Sequence, residues 1–336
     1  MMDTFNELAV HFGRSASLMG ILSRPPAETP VRRPAVVILN TGIAHRVGHH
    51  RMYVKMAREL AALGHLVFRF DFSGIGDSAP RRDTLDPTEA HKADVLEALD
   101  WLTASCNVNE VVLIGLCAGA EIALGYGHSD KRVIGLVLLD PEIPHTARFY
   151  VRYLRRRLTE LRSWRSFVRR RGLIWEQLSD RARSAFGGAT SQSAKADNEL
   201  EQLYVKSYQR KLNVLIVITG KALEGRYRNQ LFDAFPNVPL KGWVSVEYYK
   251  DADHTFTSGE IRGALQKLVV GWIKALSVTP APPQILLEGD DIRSRCGQAG
   301  KRGIETLGIT ESEVGVPSRP VGNRPHDSQL QQGRFD

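Results

Sequence analysis

Val111-Val112-Leu113-Ile114-Gly115-Leu116-Cys117-Ala118-Gly119 is the stretch that decides the fold. A four-residue apolar run enters a Gly-x-Cys-x-Gly pentapeptide, and Ala118 to Leu124 continues as a helical segment. The pattern reads as strand, tight turn and helix, with one nucleophilic side chain on the turn. Glycines two before and two after the nucleophile suit such a turn, because strand and helix approach too closely there for a larger side chain. At the first turn of a helix the thiol is also expected to be acidified by the N-terminal dipole.

The flanking sequence repeats the same alternation. Val36 to Leu39, Leu66 to Phe68 with Phe70, Val133 to Leu139, Val214 to Thr219 and Trp243 to Tyr249 are strand candidates. Met52 to Leu63, Thr88 to Leu102, Arg228 to Phe235 and Glu260 to Leu276 have helical spacing. Leu8 to Phe12 and Ser17 to Leu22 add two short strands ahead of the series. Apolar runs without alternation are typical of strands covered on both faces, and helices between them imply crossovers in a parallel sheet. The expected architecture is α/β, a mostly parallel doubly wound sheet. The series pauses from residue 144 to 211, which reads as an inserted helical cap. The core is then 1–143 with 212–277, and 278–336, rich in Pro, Gly and charge, is expected to be disordered.

With Cys117 as nucleophile, a general base is sought later in the chain, in the order nucleophile, acid, His. His254 follows the last strand in Asp251-Ala252-Asp253-His254-Thr255-Phe256. For the acid, Glu224 in the loop after Thr219 is preferred, and Asp140 at the end of the preceding strand is the alternative. A tetrahedral intermediate needs two fixed N–H donors. Ala118, next to the nucleophile, supplies one, and Ile43, after Thr41-Gly42, is placed to supply the other. His45, His49 and His50 lack a nearby acid or Cys ligand and read as loop or substrate contacts, so no metal is expected. Gly74-Ile75-Gly76-Asp77-Ser78 lacks the third Gly of a dinucleotide fingerprint and reads as a tight turn. No cofactor is implied.

Composition narrows the setting. The 336 residues include three widely spaced cysteines, which make neither a disulfide framework nor a zinc pattern and suit a reducing compartment. The first 21 residues lack the order of a signal peptide and no run is long enough to span a bilayer, so a cytoplasmic protein is expected. Net charge is +8. Ten Arg and one acid, Glu160, fall between Arg148 and Arg171, so the rest of the chain is nearly neutral. In that stretch Tyr150, Leu154, Leu158, Leu161, Trp164 and Val168 form one apolar stripe beside a cationic face. Arg155, Arg156 and Trp164 are the cap residues expected to meet substrate. The charge belongs to one insert and not to a nucleic-acid-binding fold. Its expected partner is a small or lipid-like acyl substrate, with peripheral contact to an anionic membrane as the further suggestion.

Asn40-Thr41-Gly42, Phe70 to Ser78, the Cys elbow and Ala252 to Phe256 together resemble the α/β-hydrolase superfamily over about residues 15 to 277. Within it, His45 to Arg51, Gly115-Leu116-Cys117 and Asp253 to Phe256 are similar to the hydrolases associated with exosortase A systems in bacterial exopolysaccharide loci. The resemblance implies Cys117 as nucleophile and His254 as base. The chain departs from that group after Gly220, where many relatives carry an earlier Asp, and at Ala118-Gly119, where Asp-Ala is frequent. The expected function is cleavage of an ester, thioester or lactone through a thioacyl-enzyme. Two alternatives share these residues: an acyltransferase, and a catalytically silent hydrolase-fold protein that binds an anionic partner or membrane through its cap.

Overall fold

A computed structural model describes residues 6–159 and 191–277. Eight strands form one sheet: β1 Asn6–Phe12, β2 Leu18–Arg24, β3 Arg32–Ile38, β4 His65–Phe70, β5 Val111–Leu116, β6 Val133–Leu139, β7 Asn213–Thr219 and β8 Val244–Tyr249. Their spatial order is β1-β2-β4-β3-β5-β6-β7-β8. The first hairpin and the β2–β4 pair are antiparallel, and every pair from β4 through β3 to β8 is parallel. The helices are α1 Met52–Ala62, α2 Pro87–Cys106, α3 Ala118–Gly127, α4 Ala147–Thr159, α5 Ser191–Gln209, α6 Gln230–Ala234 and α7 Gly259–Leu276.

The central strands are apolar throughout because alternate residues enter two different cores. Val37 and Leu39 beside β3, Leu113 of β5, Leu136 and Leu138 of β6 and Ile216 of β7 pack with α2, α3 and α5 on one face. Val36, Ile38, Val112, Ile114, Val137, Leu139 and Val217 pack with α1 and α7 on the other. A parallel sheet needs this double cover, since each uncovered apolar side chain would forgo about 1.5–3 kcal/mol of burial. The doubly wound α/β architecture expected from the apolar runs is therefore the one observed.

The C-terminal part of the expected insert, 144–211, includes residues packed against the sheet's own layer. Tyr204 and Ser207 of α5 are fully buried, and Tyr204 lies against Phe235 with ring centroids 5.3 Å apart. The second half of α5 thus belongs to the layer covering the sheet. Trp164 and the expected tail at 278–336 lie outside the described residues. Among the described residues no helix is long and apolar enough to cross a membrane.

Candidate active site

Cys117 sits between β5 and α3 with φ 54° and ψ −122°, a conformation that only tight packing holds in a non-glycine residue. Its N–H donates to the Leu139 carbonyl at 2.9 Å, and its carbonyl accepts from Ala120 at 2.8 Å and Glu121 at 3.1 Å, so the turn is pinned on both sides. The flanking glycines are obligatory. A Cβ on Gly115 would lie 2.1 Å from the backbone of Gly119, and one on Gly119 would lie 2.3 Å from the Asn40 carbonyl oxygen. Backbone atoms cannot move aside, so the elbow requires Gly at both places. The thiol is free and half-buried.

The expected acidification of Cys117 does not hold. Burial pushes the thiol above its ordinary range, and the nearby charges of Glu121 and Asp140 push the same way; the Ala118 N–H and the Arg226 charge oppose them without prevailing. A partial helix dipole acting over one turn is weaker here than desolvation together with two carboxylates. The resting side chain is therefore held as a thiol.

His254 leaves β8 in a turn built by Asp253. Asp253 accepts from the Thr257 N–H at 2.8 Å; burial would raise its carboxyl, but N–H groups of Thr257, Thr255 and Phe256 outweigh this and hold it below the usual carboxylate range. The His254 side chain is 39% exposed, and its Nδ1 is bonded to Asp140 Oδ2. The carboxylate that reaches the histidine is thus Asp140, the alternative acid, and not the preferred Glu224, which is half-buried in the loop after β7. Strand register accounts for the difference. Asp140 continues β6 with its N–H on the Val217 carbonyl at 2.7 Å, then turns at φ 47°, and its fully buried carboxylate accepts from the Thr219 N–H at 3.0 Å and from Arg226.

Ile43 stands at the tip of a turn closed by the Ala44 N–H on the Thr41 carbonyl at 2.9 Å, with Gly42 at φ 53°, and is 94% exposed. Neighbouring side chains hold this loop in place. Asn40, buried, donates to the Ala44 carbonyl at 2.8 Å and to Asp71 Oδ1 at 3.2 Å, and accepts from the Phe72 N–H at 2.8 Å. Arg46 donates its backbone N–H to Asp71 Oδ1 at 2.6 Å and its guanidinium to Asp71 and Asp77. The motifs around Arg46 and Asp71 to Ser78 are therefore one brace between loops.

Tyr53 has no signal in the sequence beyond a place in a helical pattern. Its buried hydroxyl lies 2.6 Å from Thr41 Oγ1 and also bonds the Leu116 backbone, which ties the Ile43 loop to the elbow. Burial pushes it up to about 12, so it stays a neutral hydrogen-bonding group. Arg226 was equally silent, since an Arg in a loop reads as solvated. His49, by contrast, comes to the site: burial, then the charges of His50 and His254, lower it below the ordinary imidazole range. Among the described residues no group of three His, Cys, Asp or Glu is placed to hold a metal ion.

The cationic helix approaches from one side. Arg148 and Arg152 place their guanidinium carbons 4.9 and 5.7 Å from the Tyr227 ring centre. Arg152 and Arg156 act electrostatically on Tyr248, whose hydroxyl donates to the Arg226 carbonyl at 3.2 Å. Arg155 and Arg156 are exposed.

A family model described as alpha/beta hydrolase fold matches residues 34–255. A search of curated proteins returns no match. Among solved structures the chain is similar to an esterase from Pyrococcus furiosus, at 15% identity and TM-score 0.52 over 82% of this chain and 92% of that one. It is similar to a protein from Pseudomonas aeruginosa at 16% identity and TM-score 0.50, over 81% and 94% of the two chains. A protein of unknown function from Agrobacterium tumefaciens gives 14% identity and TM-score 0.50 over 82% and 100%. At such identities the likeness speaks to the fold alone. The matched residues run from β3 through the Ile43 loop, the elbow and Asp140 to His254, more than half of the sequence, and the chain belongs to the alpha/beta hydrolase fold family.

Proposed function

We propose that the protein is an ester or thioester hydrolase that works through a Cys117-His254-Asp140 triad and a thioacyl-enzyme. The observation that carries this reading is the His254–Asp140 pair beside a nucleophile elbow occupied by Cys. With Nδ1–H held by the carboxylate, Nε2 is the nitrogen left to accept a proton. Cys117 passes its thiol proton to His254 Nε2 as Sγ bonds the carbonyl carbon. The oxyanion takes the N–H groups of Ala118 and Ile43. The C–O or C–S bond to the leaving group breaks, and the leaving group takes the proton from the imidazolium. Water then gives a proton to Nε2, attacks the thioacyl carbon, and the acid leaves as Sγ regains its proton.

A thiol nucleophile suits activated acyl groups better than amides, which points away from peptide substrates. The arginines of α4 favour a substrate with an anionic part, and the resemblance to exosortase-associated hydrolases would place such a substrate in exopolysaccharide metabolism. The structurally similar Pyrococcus furiosus protein is named an esterase, which agrees with this chemistry. The test is a panel of esters and thioesters of varied chain length, with neutral and anionic leaving groups, run on wild type and Cys117→Ala. Turnover that falls by at least about 1000-fold in the variant is expected. Unchanged turnover in Cys117→Ala would remove the reading.

A further inference from the structure

Arg226 has no part in the chemistry just described, yet it is built into the site. It lies in the loop between β7 and α6 and is only 8% exposed. Its guanidinium donates to Asp140 Oδ1 and, at 3.5 Å, to the Pro141 carbonyl. Its own carbonyl accepts from Tyr248 of β8, the strand that leads to His254. A buried ion pair adds little to stability relative to apolar residues of the same volume, so stability alone does not explain it. Its effect is geometric. A carboxylate held by one bond can turn about its last torsion. Here Oδ1 accepts from both Arg226 and the Thr219 N–H, and Oδ2 is the oxygen that meets His254.

We infer that Arg226 is a positioning residue for the triad: by fixing Oδ1 of Asp140 it presents Oδ2 to His254 Nδ1 and so sets the tautomer and tilt of the imidazole. The loop after β7, where an acid was sought, supplies instead the cation that holds an acid borne by the neighbouring strand. This inference rests on the Cys117-His254-Asp140 reading. Its rival is a direct action of Arg226 on the nucleophile: burial raises the Cys117 thiol most, and the Arg226 charge is among the influences that oppose it.

The experiment compares the full-length wild type with Arg226→Met, Arg226→Lys, Asp140→Asn and the double variant Asp140→Asn/Arg226→Met. One readout is kcat and KM on 4-nitrophenyl acetate. The other is the downfield proton resonance of the His254 Nδ1–H, which reports the bond to Asp140 whether or not the enzyme turns over. Arg226→Met should lose about 100-fold in kcat with KM within about threefold, and Arg226→Lys should recover about tenfold of that loss. Asp140→Asn and the double variant should be equally slow, because Arg226 acts only through Asp140. The resonance should vanish in Arg226→Met.

A resonance and a rate that survive Arg226→Met overturn the inference, as does a double variant slower than Asp140→Asn. Should Arg226→Met fail to fold, the double variant leaves no unpaired buried charge and decides the matter against Asp140→Asn. A wild type that leaves the ester intact would count against the hydrolase reading, while the resonance would still decide the role of Arg226.

Discussion

At the scale of single residues, the site depends on how desolvation competes with charge around one sulfur atom. Cys117 occupies a helix start, which favours thiolate, but burial and the carboxylates Glu121 and Asp140 keep it a thiol. The sign of the consequence is fixed. A raised thiol is largely protonated at neutral pH, so on the proposed triad its alkylation there draws on His254 as base. In His254→Ala, the rate of iodoacetamide labelling should climb about tenfold per pH unit and continue past the ordinary thiol value of 9.0 without levelling. A plateau below that value would mean that a preformed thiolate exists without the histidine. The elbow was legible because Gly115 and Gly119 leave a spacing that only close backbone approach demands. Which carboxylate meets His254 was not. Glu224 lies in the loop after β7 and Asp140 directly after β6, both at the same edge of the sheet, and only the β6–β7 register, with the Thr219 N–H and Arg226 waiting for a carboxylate, sets which one meets His254.

At the scale of elements, strands and helices were legible wherever an apolar run had one fate. β5, β6 and β7 begin and end within one or two residues of their apolar runs, because both faces of each are covered. The segment from 144 to 211 was harder, since α5 is polar along its first half and buried at Tyr204 and Ser207, and no periodicity shows where a cap returns to the core. The loop after β3 was read through its histidines, although its geometry rests on Arg46. Asp71 is fully buried and Arg46 is the cation on it, with Asn40 and the Asp77 N–H completing the shell. Arg46→Met would leave that carboxylate without its counter-charge. The expected loss is about 3–5 kcal/mol, read as a fall in the urea midpoint at neutral pH. An unchanged midpoint would show that the brace between the Ile43 loop and the turn at Asp71 to Ser78 carries no energy.

At the scale of the whole molecule, a nearly neutral sheet body carries a cationic helix on one side of the edge where the proposed site lies. Net charge alone would have suggested an anionic polymer as partner. The placement of Arg148, Arg152 and Arg156 beside Tyr227 and Tyr248 turns attention to what enters the site. The fold family follows from features spread along the chain, whereas the Asp140–His254 bond and the Arg226 contact on Asp140 exist only once the sheet is assembled. The central claim is that acyl groups pass through the sulfur of Cys117. Its most direct test is intact-protein mass spectrometry after rapid mixing with a thioester taken from the panel above, using His254→Ala to slow deacylation. The account predicts a mass gain equal to one acyl group, mapped by peptide analysis to Cys117 and absent from Cys117→Ala. Hydrolysis that proceeds in wild type with no acyl adduct on Cys117, and at an undiminished rate in Cys117→Ala, would contradict it.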